Sequence, residues 1–344
     1  MTRSCSAYHR PAADWRSASG AASRMAMECA ASSPGGGGIR WVGTARTRPA
    51  SLPAMRFGLV GTGPWASMAH GPGLVAVEEV ELVGVWGRHA ERAGRLARQL
   101  GSMAYDDYAA LLRDVDAMAF SVPPDVQAAM AIEAATAGKH LLLDKPVATS
   151  VGAAQALADA ARHVASVVFF TDRFVGSSRA WFELVRRTGG WGGGWMRWFS
   201  ALQEPDNPFG ASPWRQERGA LWDTGPHAFS TLITALGPVA ALTATAGAGD
   251  LVNLVLRHES GVTSTVTLTQ FAPPAAETYE VTLWGSAGFS SMPQRPARAD
   301  EALAAAAREL IAAAESGQPH PVDVRFGARI VELLAQAQKQ LDTP

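Results

Sequence analysis

Lys145 is one of three lysines in a chain that carries nearly all its positive charge as arginine. It closes the run Leu141-Leu142-Leu143-Asp144-Lys145-Pro146, where an apolar strand-like stretch ends in an acid, an amine and a proline that cannot continue a central strand. Asp223-Thr224-Gly225-Pro226-His227 adds an acid and an imidazole four residues apart, a spacing that puts both on one face if the segment is helical. His is the side chain best suited to moving a proton near neutral pH, and a lysine at a sheet edge stabilises developing negative charge on oxygen. Upstream, Phe57-Gly58-Leu59-Val60 runs into Gly61-Thr62-Gly63-Pro64-Trp65-Ala66. An amine, an acid, an imidazole and such a turn are together the parts of hydride-transfer chemistry.

The turn fits G-x-G-x-x-A directly after a strand. Gly61 permits the tight turn, Gly63 lets the backbone approach a pyrophosphate, and Ala66 stands where helix meets strand. Thr62, Pro64 and Trp65 complete the dinucleotide-binding segment, whose helix N-terminus attracts phosphate. The second strand ends in Val85-Trp86-Gly87-Arg88-His89, without the acid that binds the ribose 2′-hydroxyl of NAD. Arg88 offers a planar cation for adenine and a 2′-phosphate, so the expectation is NADP, with NAD as the second choice. Ser121-Val122-Pro123-Pro124 follows another buried strand, which places Ser121 and Pro123 at the same carboxyl edge as Asp144 and Lys145. His70, His89, His140, His163, His258 and His320 have no such context and read as structural or solvated. Trp214 and Trp222 flank the Asp/His segment; they are either core or the walls of a pocket for a sugar ring or a more apolar substrate.

These residues need a scaffold, and the alternation from Met55 onward supplies one. Strand-like runs at Arg56–Val60, Val80–Trp86, Ala117–Val122, His140–Leu143 and Ala165–Thr171 alternate with helical stretches at His89–Leu100, Tyr105–Leu112, Val126–Ala137 and Ser150–His163. That grammar predicts an α/β Rossmann domain, a doubly wound parallel sheet, over 55–172. From 173 to 344 it changes to an α+β domain. Arg179–Arg187 and Trp222–Leu236 read as helices, and Trp195–Leu202 as a strand. Leu251–His258, Val262–Phe271 and Thr278–Trp284 form a largely antiparallel open sheet, and Glu301–Ala314 and Val322–Leu341 close the chain as helices. Residues 1–54 are rich in Ala, Ser, Arg and Gly and show no periodicity; they read as a disordered leader or as sequence upstream of a true start at Met55.

With 344 residues and 47% apolar content the chain is long enough for two cores. A net charge of -1 provides no electrostatic reason for nucleic acid or an anionic membrane as partner. Cys5 and Cys29 both lie in the N-terminal stretch, so the folded part holds no thiolate metal site, no disulfide and no catalytic thiol; no metal is expected, and a cytoplasmic location is.

The run Ala135-Thr136-Ala137-Gly138-Lys139-His140-Leu141-Leu142-Leu143-Asp144-Lys145-Pro146 resembles the "A-x-x-G-K-H-V-x-x-E-K-P" signature of the Gfo/Idh/MocA family of NAD(P)-dependent oxidoreductases. Gly219–His227 is similar to that family's "G-G-x-x-x-D-x-G-x-H" segment, and Phe57–Ala66 to its start. The resemblance implies catalytic positions at Lys145, Asp223 and His227, and hydride exchange with a secondary alcohol or ketone of a sugar, inositol or related cyclic compound. It also implies a homodimer or homotetramer built on the open sheet. Three positions depart from the family: Asp144 stands in place of Glu, Gln127 near a family His, and Ser230 in place of an acid. The alternatives are a non-catalytic dinucleotide-binding sensor or scaffold, and an imine or tetrapyrrole reductase on the same fold.

Overall fold

The computed structural model describes residues 53–343 apart from 203, 205, 206, 208, 211 and 294–297. The leader expectation falls almost wholly outside the described residues.

The first sheet comprises β1 (Met55–Val60), β2 (Val80–Trp86), β3 (Met103–Tyr105), β4 (Ala117–Phe120), β5 (His140–Asp144) and β6 (Ser166–Phe169). Every neighbouring pair is parallel, in the order β3-β2-β1-β4-β5-β6. All four residues of β4 and of β6 are buried, which is what helices on both faces of a parallel sheet require. Those helices are α1 (Gly71–Val75), entered through a π-helical turn at Ala66–His70, then α2 (Ala90–Leu100), α3 (Tyr108–Arg113), α4 (Pro124–Thr136) and α5 (Val151–Ala160). Ser150 caps α5 by accepting from Ala153 N, as its type predicts. Tyr105 belongs to β3 and not to the helix expected over Tyr105–Leu112. Asp107 sets that helix's start by accepting from the N–H groups of Ala109 and Ala110.

In the strand order the chain reverses direction between β1 and β4. Loops leaving adjacent strands there run to opposite faces and open a crevice at the carboxyl edge. The strand ends around it are stitched together: Gly61 N donates to Trp86 O and Ser121 N to Val60 O, both at 2.8 Å.

α6 (Gly176–Thr188) leads into the second sheet, which holds β7 (Trp191–Phe199). Next come α7 (Pro213–Asp223) and α8 (Gly225–Leu236). β8 (Val239–Ala246), β9 (Val252–His258), β10 (Thr263–Thr269), β11 (Thr278–Gly285) and β12 (Gly288–Ser291) complete the sheet. Its order is β12-β11-β7-β10-β9-β8, antiparallel except for the β7–β10 pair. Met196, Leu254, Val266 and Val281 are buried on its inner face, against which α8 and α10 (Val324–Leu341) pack. The single helix expected over Trp222–Leu236 is two helices meeting at Thr224.

The last two helices return to the first sheet. α9 (Ala299–Ser316) packs on α1, β5 and β6, and α10 lies between α5 and β8. Gly327 makes this approach possible, because a Cβ there would fall 2.6 Å from Val147 Cγ1. The loop after β5, which carries Lys145, is thereby backed by the C-terminal helix.

Candidate active site

The crevice is built from its glycines outward. Gly61 has φ +124°, and a Cβ on it would lie 2.1 Å from Ser121 O. No side chain is tolerated there, so the loops after β1 and β4 come into direct contact. Gly63 has the opposite surroundings. A Cβ there would meet nothing within 4 Å, so the backbone faces open space of the kind a phosphate needs. Gly87, at the end of β2, abuts Thr62: its absent Cβ would sit 2.6 Å from Thr62 Cγ2.

A cleft of about 510 Å³ begins at Gly63, Pro64 and Trp65, passes Ser121, Pro123, Asp144 and Lys145, and ends on the α7 residues Trp214 and Arg215. A second hollow, of about 500 Å³, is bounded by Arg88, His89, Ala90, Glu91, Arg92 and Arg95. Arg92 borders both cavities. The residues along this course are of the kind that would hold an extended dinucleotide, Gly61–Ala66 at its pyrophosphate and Arg88 and Lys145 toward its two ends. Ala66 itself is buried where the π-helical turn leaves the sheet and has no wall of the cleft.

Lys145 is fixed from two sides. Behind it, the fully buried Gln127 of α4 accepts from Asp144 N at 2.8 Å and donates to Asp144 O at 2.8 Å. Its Nε2 also faces Pro146 O at 3.3 Å and Val147 O at 3.4 Å. The Asp144 carboxylate accepts from Lys145 N, and the Lys145–Pro146 peptide is cis. In front, Lys145 Nζ donates to Asp223 Oδ1 at 2.8 Å and to Asp223 O at 2.6 Å, with 11% of its side chain exposed.

Asp223 is a buried hub. Its Oδ2 accepts from Arg215 Nε at 3.1 Å and from Gln270 Nε2 at 2.8 Å. Burial by itself would raise this carboxyl's pKa. The charges of Lys145 and Arg215 outweigh that effect and hold it below the usual carboxylate range. Asp250 organises the surroundings by accepting from Ala220 N, Gln270 N and Thr269 Oγ1. Ala220 follows Gly219, whose left-handed backbone (φ +61°) kinks α7.

Asp223 ends α7 and His227 lies in the first turn of α8, so Thr224 separates them at a helix junction. Asp223 is not the cap of α8; that position is Thr224, and the Asp223 oxygens are spent on Lys145, Arg215 and Gln270. The His227 ring is buried, 5.3 Å from the Trp198 ring and 6.4 Å from that of Phe170. Tyr279 meets Trp198 edge-on and donates its hydroxyl to the buried Asp172. Trp214 lines the cleft. Trp222 instead belongs to the core, with Nε1 on Gln338.

Arg215, Gln270, Asp172 and Tyr279 were not singled out by sequence reasoning. Among the described residues no group of His, Cys, Asp and Glu is arranged to hold a metal ion, and no helix is long and apolar enough to cross a membrane.

Comparison with known proteins accounts for both halves of this arrangement. Residues 55–171 match the oxidoreductase family with an NAD-binding Rossmann fold, and residues 194–289 match the GFO/IDH/MocA C-terminal domain. The chain is 29% identical over 192 residues to the dTDP-3,4-didehydro-2,6-dideoxy-α-D-glucose 3-reductase of Streptomyces antibioticus, covering 54% of this chain and 58% of that protein. It is 35% identical over 103 residues to the UDP-N-acetylglucosamine 3-dehydrogenase of Acidithiobacillus ferrooxidans, covering 30% and 32%. The chain therefore spans about a third to somewhat over half the length of these curated relatives. An oxidoreductase from Agrobacterium radiobacter, solved with NAD+, L-tartaric acid and magnesium, shares the fold with a TM-score of 0.73 at 20% identity, covering 84% of this chain and 96% of that one. With the cleft at the sheet's switch point and a match over both halves, the chain belongs to the Gfo/Idh/MocA family of oxidoreductases.

Proposed function

We propose that this protein is an NADP-preferring dehydrogenase or reductase that exchanges hydride with a secondary alcohol or ketone on a sugar, inositol or related cyclic compound. The observation that carries the reading is the Lys145 ammonium, held 2.8 Å from Asp223 at the carboxyl edge of the sheet and facing the cleft that begins at Gly63. The nicotinamide, when bound, takes or supplies the hydride. Lys145 places a positive charge beside the substrate oxygen and stabilises it as it becomes an alkoxide. Asp223 keeps that ammonium aimed. His227, on the neighbouring helix turn, moves the hydroxyl proton. Sugar-nucleotide oxidoreductases among the relatives support a carbohydrate-like substrate.

The cofactor preference rests on Arg88, exposed just before α2 beside Arg92 and Arg95: the end of β2 carries no acid to meet a ribose 2′-hydroxyl, and the one acid lining this hollow, Glu91, lies 3.8 Å from Arg95. A neighbour solved with NAD+ leaves NAD as the alternative cofactor. The domain boundary is proposed near Asp172, with 55–172 as the dinucleotide-binding part and 173–344 as the substrate and assembly part. Assembly is proposed as a homodimer or homotetramer through the outer face of the second sheet, in the cytoplasm. The test is a panel of sugars, cyclitols and their ketones with purified protein, following NADPH and NADH absorbance in both directions. Turnover with at least one cyclic alcohol is expected; none with either cofactor would overturn the reading.

A further inference from the structure

Arg215 is only partly used by the contacts around it. It lies in the first turn of α7, with its Nε on Asp223 Oδ2. Its Cζ sits 4.9 Å over the Trp214 ring and 5.8 Å over the Phe209 ring. Stacking fixes the guanidinium plane without consuming its donors. Nη1 and Nη2 make no hydrogen bond to any described residue, and the side chain, 20% exposed, borders the same cleft as Lys145. A planar fork of N–H donors is thus left facing the space where substrate must sit.

Charge points the same way. Lys145 and Arg215 share one carboxylate, Asp223, which is sealed behind them by Gln270. Among the described residues, one positive charge on this wall has no carboxylate of its own. Asp144, the cleft's other acid, is matched in number by Arg92. A guanidinium fork presented in this way is complementary to a carboxylate or a phosphate.

We propose that Arg215 selects an anionic substrate, a sugar or cyclitol whose carboxylate or phosphate sits on its Nη edge while the reacting carbon faces Lys145. Both cations bond oxygens of one carboxylate, so the acid group and the reacting hydroxyl lie within the span of a single sugar ring. The acid is therefore attached to that ring, and the stacked face of Trp214 lies beside it. This deepens the dehydrogenase reading and rests on it.

The test uses matched pairs with the NADP+-loaded enzyme: D-glucose and D-glucuronate, D-galactose and D-galacturonate, and myo-inositol and myo-inositol 1-phosphate. Glucuronamide serves as a neutral analogue of glucuronate. Binding is read by calorimetry and turnover by absorbance. The acidic member of at least one pair is expected to bind roughly ten- to a hundred-fold more tightly. Arg215→Met is expected to erase that ratio and Arg215→Lys to restore part of it. The uronates and the phosphate distinguish the two acid groups. Because Arg215 also touches Asp223, the readout is the acid-to-neutral ratio and not activity itself. Neutral members that bind as well as the acids, glucuronamide that equals glucuronate, or a ratio unchanged by Arg215→Met would each overturn the inference. Good turnover confined to neutral sugars would overturn it while leaving the dehydrogenase reading standing. If no pair is turned over, the binding ratio still decides Arg215, and the wider panel with both cofactors decides the dehydrogenase reading.

Discussion

Gln127 and Asp144 form a closed two-point contact: the side-chain amide of one both accepts from and donates to the backbone of the other, at 2.8 Å each way. Gln127 is fully buried, so neither group has water as a substitute. The residue before Lys145 is therefore anchored to α4. Gln127→Leu fills the same space and leaves the Asp144 N–H and C=O unpaired, at a cost of about 1–3 kcal/mol. The melting temperature is expected to fall and kcat to fall with it, while pyrophosphate binding at Gly61–Ala66 stays close to normal. An unchanged kcat in a destabilised variant would show that the anchor serves the fold alone.

Lys145→Ala separates chemistry from cofactor binding. Lys145 stands two strands from the glycine turn, in the order β1-β4-β5, and its charge matters most when the substrate oxygen becomes negative. Loss of such a group costs about 2.7–4 kcal/mol in the barrier, or roughly a hundred- to a thousand-fold in kcat. Cofactor affinity, measured by calorimetry, is expected to change little, and His227→Ala to behave similarly. Near-normal kcat in Lys145→Ala would remove the central residue of the proposal.

The proposed NADP preference rests on Arg88. NADPH is expected to bind more tightly than NADH, and Arg88→Ala to weaken NADPH by about tenfold or more, the worth of a charge-assisted hydrogen bond. NADH affinity is expected to stay nearly constant. Paired calorimetric titrations of the parent and variant check both statements, and equal affinities in the parent would refute the preference.

The parts that sequence reasoning reached are local ones. The glycine turn, the strand before it and the Asp144-Lys145-Pro146 end are contiguous, so residue type and spacing are enough to place them. Arg215 and Gln270 are different. Arg215 reaches Asp223 across the Gly219 kink, which a helical count from Asp223 does not anticipate. Gln270 arrives from just beyond β10, 47 residues on, and only strand pairing decides which strand end meets Asp223. The helix break at Thr224 was hidden for a similar reason. Asp223-Thr224-Gly225-Pro226 is compatible with a helix start, and the preceding turns of α7 are polar enough to read as loop.

The outer face of the second sheet tests assembly. Val255, Trp284 and Phe289 are 49%, 48% and 75% exposed on it, and Trp195 packs against Phe289 at 6.1 Å. Aromatic surface of this kind is unusual for a face left in water. Light scattering at micromolar concentration is expected to give the mass of a dimer or tetramer. The double variant Trp284→Glu, Phe289→Glu is expected to lower it. A monomeric parent would remove the assembly proposal.

Acid is expected to weaken the fold from just below neutral pH, and His70 is one reason. Its ring is fully buried, edge-on to Phe169 and Trp65. Burial pushes its pKa below the ordinary value, against an opposing pull from Asp144 and from the backbone of Trp65 and Phe120. His140 and His258 are lowered by burial as well, and His140 Nδ1 accepts from Ala165 N, a bond that only the unprotonated nitrogen makes. In all three the folded state favours the neutral ring. The unfolded chain therefore binds more protons once pH falls below about 6.5, and stability declines from there toward the lower folded values. Each fully titrating group adds a slope of at most about 1.4 kcal/mol per pH unit. Asp223, also depressed, adds its loss only once pH falls through the ordinary carboxylate range toward its lower folded value. Denaturant midpoints between pH 7.5 and 5 are thus expected to fall as pH falls. His70→Phe keeps an aromatic ring between Phe169 and Trp65 and removes the titration, so its profile is expected to be visibly flatter. A His70→Phe slope equal to the parent's would assign the acid sensitivity to other groups.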